Sequence, residues 1–209
     1  MRRLLFILIL SIMGLAANAQ TPLSEAQSQE VMRQLTERAA SMQKMHCRFV
    51  QEKTSAMLAE PSIAEGIMDY TAPDHLRWEY TSPYAFALVV EGERITKITD
   101  GQSEVLEGNA NRMYQGMVNL IMGSASGQKL FDTSMFVVVL TDDGDYWKAE
   151  MTPKRRDMKR MFKVLVFRFN KETNTISRVQ FVEPGGDVTS IRFEDNKEAS
   201  GHKKGQTSE

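Results

Sequence analysis

The sequence predicts a mainly β (α+β) protein: an open, strongly curved antiparallel β-barrel of about ten strands, with amphipathic helices covering the concave face. Three observations carry that prediction. After one N-terminal helix, the apolar residues of this 209-residue chain switch from a helical to a two-residue period. The strand-length runs are separated by proline or by Gly, Asp and Asn turn chemistry. So many strands in series must curl, split or close, and two amphipathic helices need a surface for their apolar faces.

The elements follow in order. Arg2 and Arg3, the apolar stretch Leu4 to Leu15 and Ala17-Asn18-Ala19 make the three-part pattern of a cleaved export signal. The apolar stretch is shorter than the ~20 residues a spanning helix needs, although an uncleaved anchor is the alternative. Residues 1–19 are therefore expected to be a signal peptide, with a soluble mature chain beginning at Gln20 and no lipid-modification cysteine beside the cleavage site. Ser24 and Gln27 read as a capping box for a helix in which Val31, Leu35, Ala39 and Met42 share a face, ending near Met45. Strands are expected around Cys47 to Val50, Ile63 to Tyr70, Leu76 to Tyr80 and Phe86 to Val90. Hairpin turns at Glu91-Gly92-Glu93 and Asp100-Gly101-Gln102 bring in Arg94 to Thr99 and Ser103 to Leu106.

A second helix is expected after Asn109 or Asn111, with Met113, Met117, Leu120 and Ile121 on one face and Gly123 closing it. Strands resume at Met135 to Thr141 and turn at Asp142-Asp143-Gly144 into Tyr146 to Met151. Phe162 to Phe169, Thr175 to Val182 and Val188 to Phe193 then form a meander. The single folded domain is expected over 20–195, and the polar stretch 196–209 reads as a disordered tail.

Composition narrows the function. With 26 basic and 27 acidic residues the net charge is −1, which argues against nucleic-acid binding. One cysteine, Cys47, excludes an intramolecular disulfide framework and a thiolate zinc cluster. His46, His75 and His202 are scattered, so no metal site is expected. Gly123 and Gly127 bracket Ala125 rather than a serine, and there is no phosphate loop or dinucleotide fingerprint. No catalytic constellation emerges, and neither an enzyme nor a cofactor is expected.

Apolar surface is what remains. Leu76, Trp78 and Tyr80 share one strand face, as do Phe86, Leu88 and Val90, and Leu165, Phe167 and Phe169. Each set reads as core or as a cavity wall. Fourteen methionines are many for this length, and methionine suits surfaces that fit variable apolar partners. Met113, Met117 and Met122 thus make the second helix either plain core or a lipid-contacting lid. Lys154, Arg155, Arg156, Lys159 and Arg160 follow Pro153 as a basic run. It reads as a solvated hairpin loop, or as a docking patch for an acidic partner or anionic headgroups.

Three motifs carry a resemblance. Phe49-Val50-Gln51 resembles the F-x-Q that ends the first helix-to-strand passage in the periplasmic outer-membrane lipoprotein carrier family (LolA-type). The stretch from Gly66 to Tyr80, with Ala72-Pro73 and Trp78, resembles its glycine-led strand, R-P and tryptophan strand. Thr152-Pro153-Lys154 resembles its T-P-K. The resemblance spans Leu23 to Asp195 and implies an open barrel with a helical lid. It implies a cavity for the acyl chains of lipoproteins, taken from an inner-membrane releasing transporter and passed to an outer-membrane receptor or acceptor membrane. The expected cavity residues are Phe49, Leu76, Trp78, Tyr80, Phe86, Leu88, Met113, Met117, Leu120 and Ile121. The family's lid-latching arginine is Ala72 here, and Arg77 lies on the opposite strand parity from Trp78. The polar tail stands where the family has another apolar stretch. The chain is expected to be a monomeric periplasmic carrier. The alternative is a periplasmic lipid or lipoprotein sensor, or a carrier of another lipid, on the same fold.

Overall fold

The computed structural model describes residues 21–107 and 130–197. The elements of the first segment are β1 (Thr21–Pro22), α1 (Glu25–Ala40), β2 (Lys44–Thr54), β3 (Ser62–Thr71), β4 (His75–Ser82), β5 (Phe86–Glu91), β6 (Arg94–Thr99) and β7 (Gln102–Val105). The second holds β8 (Phe136–Asp143), β9 (Tyr146–Pro153), α2 (Arg156–Met161), β10 (Val164–Asn170), β11 (Ile176–Val182) and β12 (Val188–Lys197). The expected second helix, with Met113, Met117, Leu120 and Ile121, lies outside the described residues, as do the signal peptide and the stretch after Lys197.

All strands belong to one antiparallel sheet in the order β1-β8-β9-β10-β11-β12-β2-β3-β4-β5-β6-β7. Its ends, β1 and β7, do not meet, so the sheet is open as expected. Among the described residues it has twelve strands rather than about ten: the expected Ser103 to Leu106 strand is present as β7, and the two-residue edge strand β1 is an addition. The pairing of β12 with β2 joins the two halves of the chain, Phe193 facing Phe49 and Ile191 facing Gln51. β12 extends to Lys197, past the expected strand end at Phe193 and the expected domain end at Asp195.

Turn chemistry sets the hairpins. Gly92, Asp100, Gly101 and Gly144 all adopt positive φ at the predicted turns, a conformation glycine reaches without a Cβ clash. At Asn170 the side-chain oxygen accepts from the backbone N–H groups of Glu172 and Thr173, at 2.9 and 3.1 Å. That local arrangement turns the chain from β10 into β11.

α1 starts as its sequence predicts. The Ser24 hydroxyl accepts from the Gln27 N–H while the Gln27 side chain accepts from the Ser24 N–H. Val31, Leu35 and Ala39 are buried against the sheet. The helix stops at Ala40, short of the expected Met45, because Lys44 and Met45 pair with Thr71 and Tyr70 and join the β ladder.

The core lies on one face of the sheet in cross-strand rows. One row runs Met45, Tyr70, Leu76, Val90 and Ile95, and the next runs Cys47, Met68, Trp78 and Leu88. A third runs Phe193, Phe49, Gly66, Tyr80 and Phe86. Gly66 is required there: a Cβ would overlap the Glu79 carbonyl oxygen and the Phe49 ring. The Phe49 ring thus fills the space over the glycine and stacks on Trp78 with centroids 4.2 Å apart.

Candidate functional site

α1 and the sheet do not close tightly over the whole concave face. A pocket open at its mouth lies between them, with about 670 Å³ of empty space reaching out into open solvent. α1 and the turn after it contribute Leu35, Ala39 and Met42, and β10 contributes Phe167 and Phe169. Ile176, Val179 and Phe181 of β11, with Phe193 of β12, complete most of the wall. Among the described residues Asn174 and Thr175 are the polar members of the lining, and no charged side chain belongs to it. Pockets with so apolar a lining hold apolar ligands.

A second open space lies farther along the same face. Trp78, Tyr80, Phe162, Phe181 and Ile191 line it together with Gln51, Thr189 and Glu183. Phe181 lines both spaces, and the Trp78 and Phe193 rings meet edge to face between them at 6.2 Å. The Tyr80 hydroxyl donates to the Gln51 side-chain oxygen at 2.9 Å.

The expected cavity residues thus take different places. Trp78 and Tyr80 line the second space, and Phe86, half-buried, stacks on Tyr80 at 5.8 Å. Phe49, Leu76 and Leu88 are buried in the packed core and line neither space. Sequence reasoning passed over Met42, Met45, Ile176, Val179, Phe181 and Phe193. Alternation was the available signal for Val179 and Phe181. It fails for Ile176, because a register shift between Arg168 and Phe169 displaces it.

The basic run forms a short helix rather than a plain hairpin loop. Arg156–Met161 make α2, and Phe162 after it turns inward to the second space, 5.6 Å from the Phe181 ring. Lys154 is tied down through its Nζ to the Thr133 carbonyl at 2.6 Å, and Arg155 pairs with Asp157 at 2.8 Å. Arg156, Lys159 and Arg160 are exposed on this helix. Arg77 faces away from the core and pairs with Glu79 at 2.8 Å, so it does not reach the cavity.

Two groups of the packed core are shifted by burial. Burial, with the charge of Asp69 behind it, pushes the Cys47 thiol up to about 12. That keeps it a neutral, unreactive core group. Burial, and then Asp74, raises Tyr70 as well. Among the described residues no three His, Cys, Asp or Glu side chains converge as metal ligands.

An open curved sheet with an apolar, helix-flanked concave face defines a protein that holds apolar ligands. The comparisons agree with this class. Residues 40–204 match the family model described as outer membrane lipoprotein carrier protein LolA, and the chain belongs to that family. It is 24% identical over 150 residues to an outer-membrane lipoprotein carrier protein of Methylobacillus flagellatus, covering 71% of this chain and 69% of the relative. Among solved structures it resembles an uncharacterized conserved protein from Thermus thermophilus, with 10% identity, a TM-score of 0.50, and 80% and 86% of the two chains covered. It also resembles MucB, with 12% identity, a TM-score of 0.50, and 81% of this chain and 58% of MucB covered.

Proposed function

We propose that this protein is a periplasmic carrier that shields the acyl chains of lipoproteins and moves them from the inner to the outer membrane. The observation that carries the reading is the apolar pocket between α1 and β10–β12, whose described lining holds no charged side chain. Each buried CH₂ of an acyl chain contributes ~0.8 kcal/mol, so a chain that cannot cross water alone gains most in such a lining. Its walls are rings and flexible methionines, which accommodate chains of different length. The Methylobacillus flagellatus relative bears the name of a lipoprotein carrier. Export would follow cleavage after Ala19, leaving 20–195 as the carrier domain and 196–209 as a polar tail.

In this reading the cargo arrives from an inner-membrane releasing transporter and leaves to an outer-membrane receptor or acceptor membrane. Arg156, Lys159 and Arg160, with Lys154 and Arg155 beside them, are the docking surface in this reading, an exposed basic cluster that precedes Phe162 of the second space in sequence. The test is mass spectrometry of the lipid and peptide extract from protein isolated out of its native periplasm. Acylated peptide is expected, and Ile176→Asp, which places a charge on the pocket wall, is expected to remove it. An extract without acylated material, or cargo retained at the wild-type level by Ile176→Asp, overturns the reading.

A further inference from the structure

The second space is chemically unlike the first. Aromatic walls from Trp78, Tyr80, Phe162 and Phe181 surround a polar group, Gln51, which β2 delivers inward after Cys47 and Phe49. Alternation calls for an apolar residue at that position, and the facing residues on the neighbouring strands, Ile191 and Ala64, are apolar. A half-buried amide loses water at both its oxygen and its nitrogen, a cost that partners must offset. The Tyr80 hydroxyl satisfies the oxygen at 2.9 Å. No described residue accepts from the Gln51 N–H groups, so they remain available on the wall of the space.

We infer that Gln51, held by Tyr80, donates a hydrogen bond to an uncharged ester carbonyl at the head of an acyl-chain ligand. The inference rests on the carrier reading and adds the ligand's polar end to it. Phe181 is common to both spaces, so a chain lying in the first space brings its head to the second. Glu183 decides the charge of that head. It lines the second space and sits 3.7 Å from Lys53, with both side chains about two-fifths exposed. An anionic head, such as a free carboxylate, meets this acid, whereas a neutral acceptor does not. A glycerol diester is the chemistry that combines apolar chains with neutral carbonyl acceptors. A few well-placed polar groups in an apolar pocket serve to orient the ligand.

The experiment is displacement of the reporter N-phenyl-1-naphthylamine from the full mature chain, followed by fluorescence. The competitors are 1,2-dioctanoylglycerol, its diether analogue 1,2-dioctylglycerol, and decanoate. One neutral hydrogen bond corresponds to about a fivefold preference for the diester over the diether, with decanoate the weakest of the three. Gln51→Leu is expected to bring the diester down to the diether's level. A wild-type ratio near one overturns the inference without any variant, and so does a ratio that survives Gln51→Leu. Tighter binding of decanoate than of the diester overturns the role given to Glu183. If neither glycerolipid displaces the reporter, the carrier reading falls and takes this inference with it. If both displace it equally, the recognition point alone falls.

Discussion

Leu76→Ala is expected to lower stability by about 2–5 kcal/mol. Leu76 is 1% exposed, and its cross-strand neighbours Tyr70 and Val90 are each 1% exposed. Truncation leaves a hole between three paired strands whose backbones are held by the ladder, so the site cannot collapse to fill it. In a domain of this length each kcal/mol moves the melting temperature by about 2–4 °C, and the expected drop is of order 5–15 °C. Leu76→Glu is harsher, because it puts a carboxylate in an enclosed apolar row. Its cost is comparable with the ~5–15 kcal/mol that holds a domain together, and no cooperative melt is expected. Sequence reasoning placed Leu76 on a cavity wall, where a charge would leave the fold largely intact. Ile176→Ala is the comparison: Ile176 is half-buried on the pocket wall and should cost about 1 kcal/mol or less. Circular dichroism melts of the three variants check the point. A shift under about 2 °C for Leu76→Ala, or a native-like melt for Leu76→Glu, would refute the packing argued for that row.

Gly66→Ala is expected to destabilise more than an ordinary glycine replacement, since the new Cβ meets backbone at Glu79 and not only the Phe49 ring; urea denaturation equal to wild type would contradict this. Stability should fall as pH rises above 9. The Cys47 thiol stays protonated in the fold up to about 12, while the unfolded chain releases that proton near its ordinary value of 9.0, so its contribution is complete below 9 and lost between 9 and about 12. Cys47→Ala should flatten that alkaline fall in the urea midpoint, and an unchanged slope would speak against it. Ser24→Ala removes the cap of α1 and should cost about 1 kcal/mol, read as a lower midpoint with an unchanged denaturant slope. Arg33→Ala should change the midpoint little, because its partners Glu30 and Glu37 are all but solvated.

Much of the architecture was legible because its determinants are local. The two-residue period showed which side chains of β2 to β5 face inward, and the Gly92, Gly101 and Gly144 turns were visible as short glycine-bearing breaks. The capping box marked the start of α1 because Ser24 and Gln27 satisfy each other within one turn. The end of α1 was not legible, since Lys44 and Met45 are recruited by a strand more than twenty residues away, at Tyr70 and Thr71. The β12–β2 pairing escaped for the same reason: nothing near Phe49 announces that Phe193 will lie beside it. Bulges hid a second class of feature. Arg168 pairs with Arg178 and Phe169 with Ile176, so Ser177 is an extra residue on β11 that changes the parity of Ile176 relative to Val179, and Ile176 enters the pocket wall against the simple alternation.

The division of the apolar face into core and cavity was the least legible feature, and the reason is geometrical. Parity tells which face a side chain occupies, but not what stands opposite it. Leu76 and Trp78 have the same parity on the same strand, yet Leu76 is enclosed in the core while Trp78 forms part of a pocket wall. Their difference comes from the neighbours that cover them. Trp78 is bordered by Phe193 and the Phe181 space, which belong to strands more than a hundred residues later. Gln51 makes the same point from the polar side. As the last residue of F-x-Q it reads as part of a strand motif, and only the arrival of Tyr80, Phe181 and Ile191 turns it into a hydrogen-bonding group on a pocket wall. A carrier needs that mixture, because a face that were core throughout would leave no room for a chain. A face that were open throughout would lack the packed rows that hold the sheet in its curve.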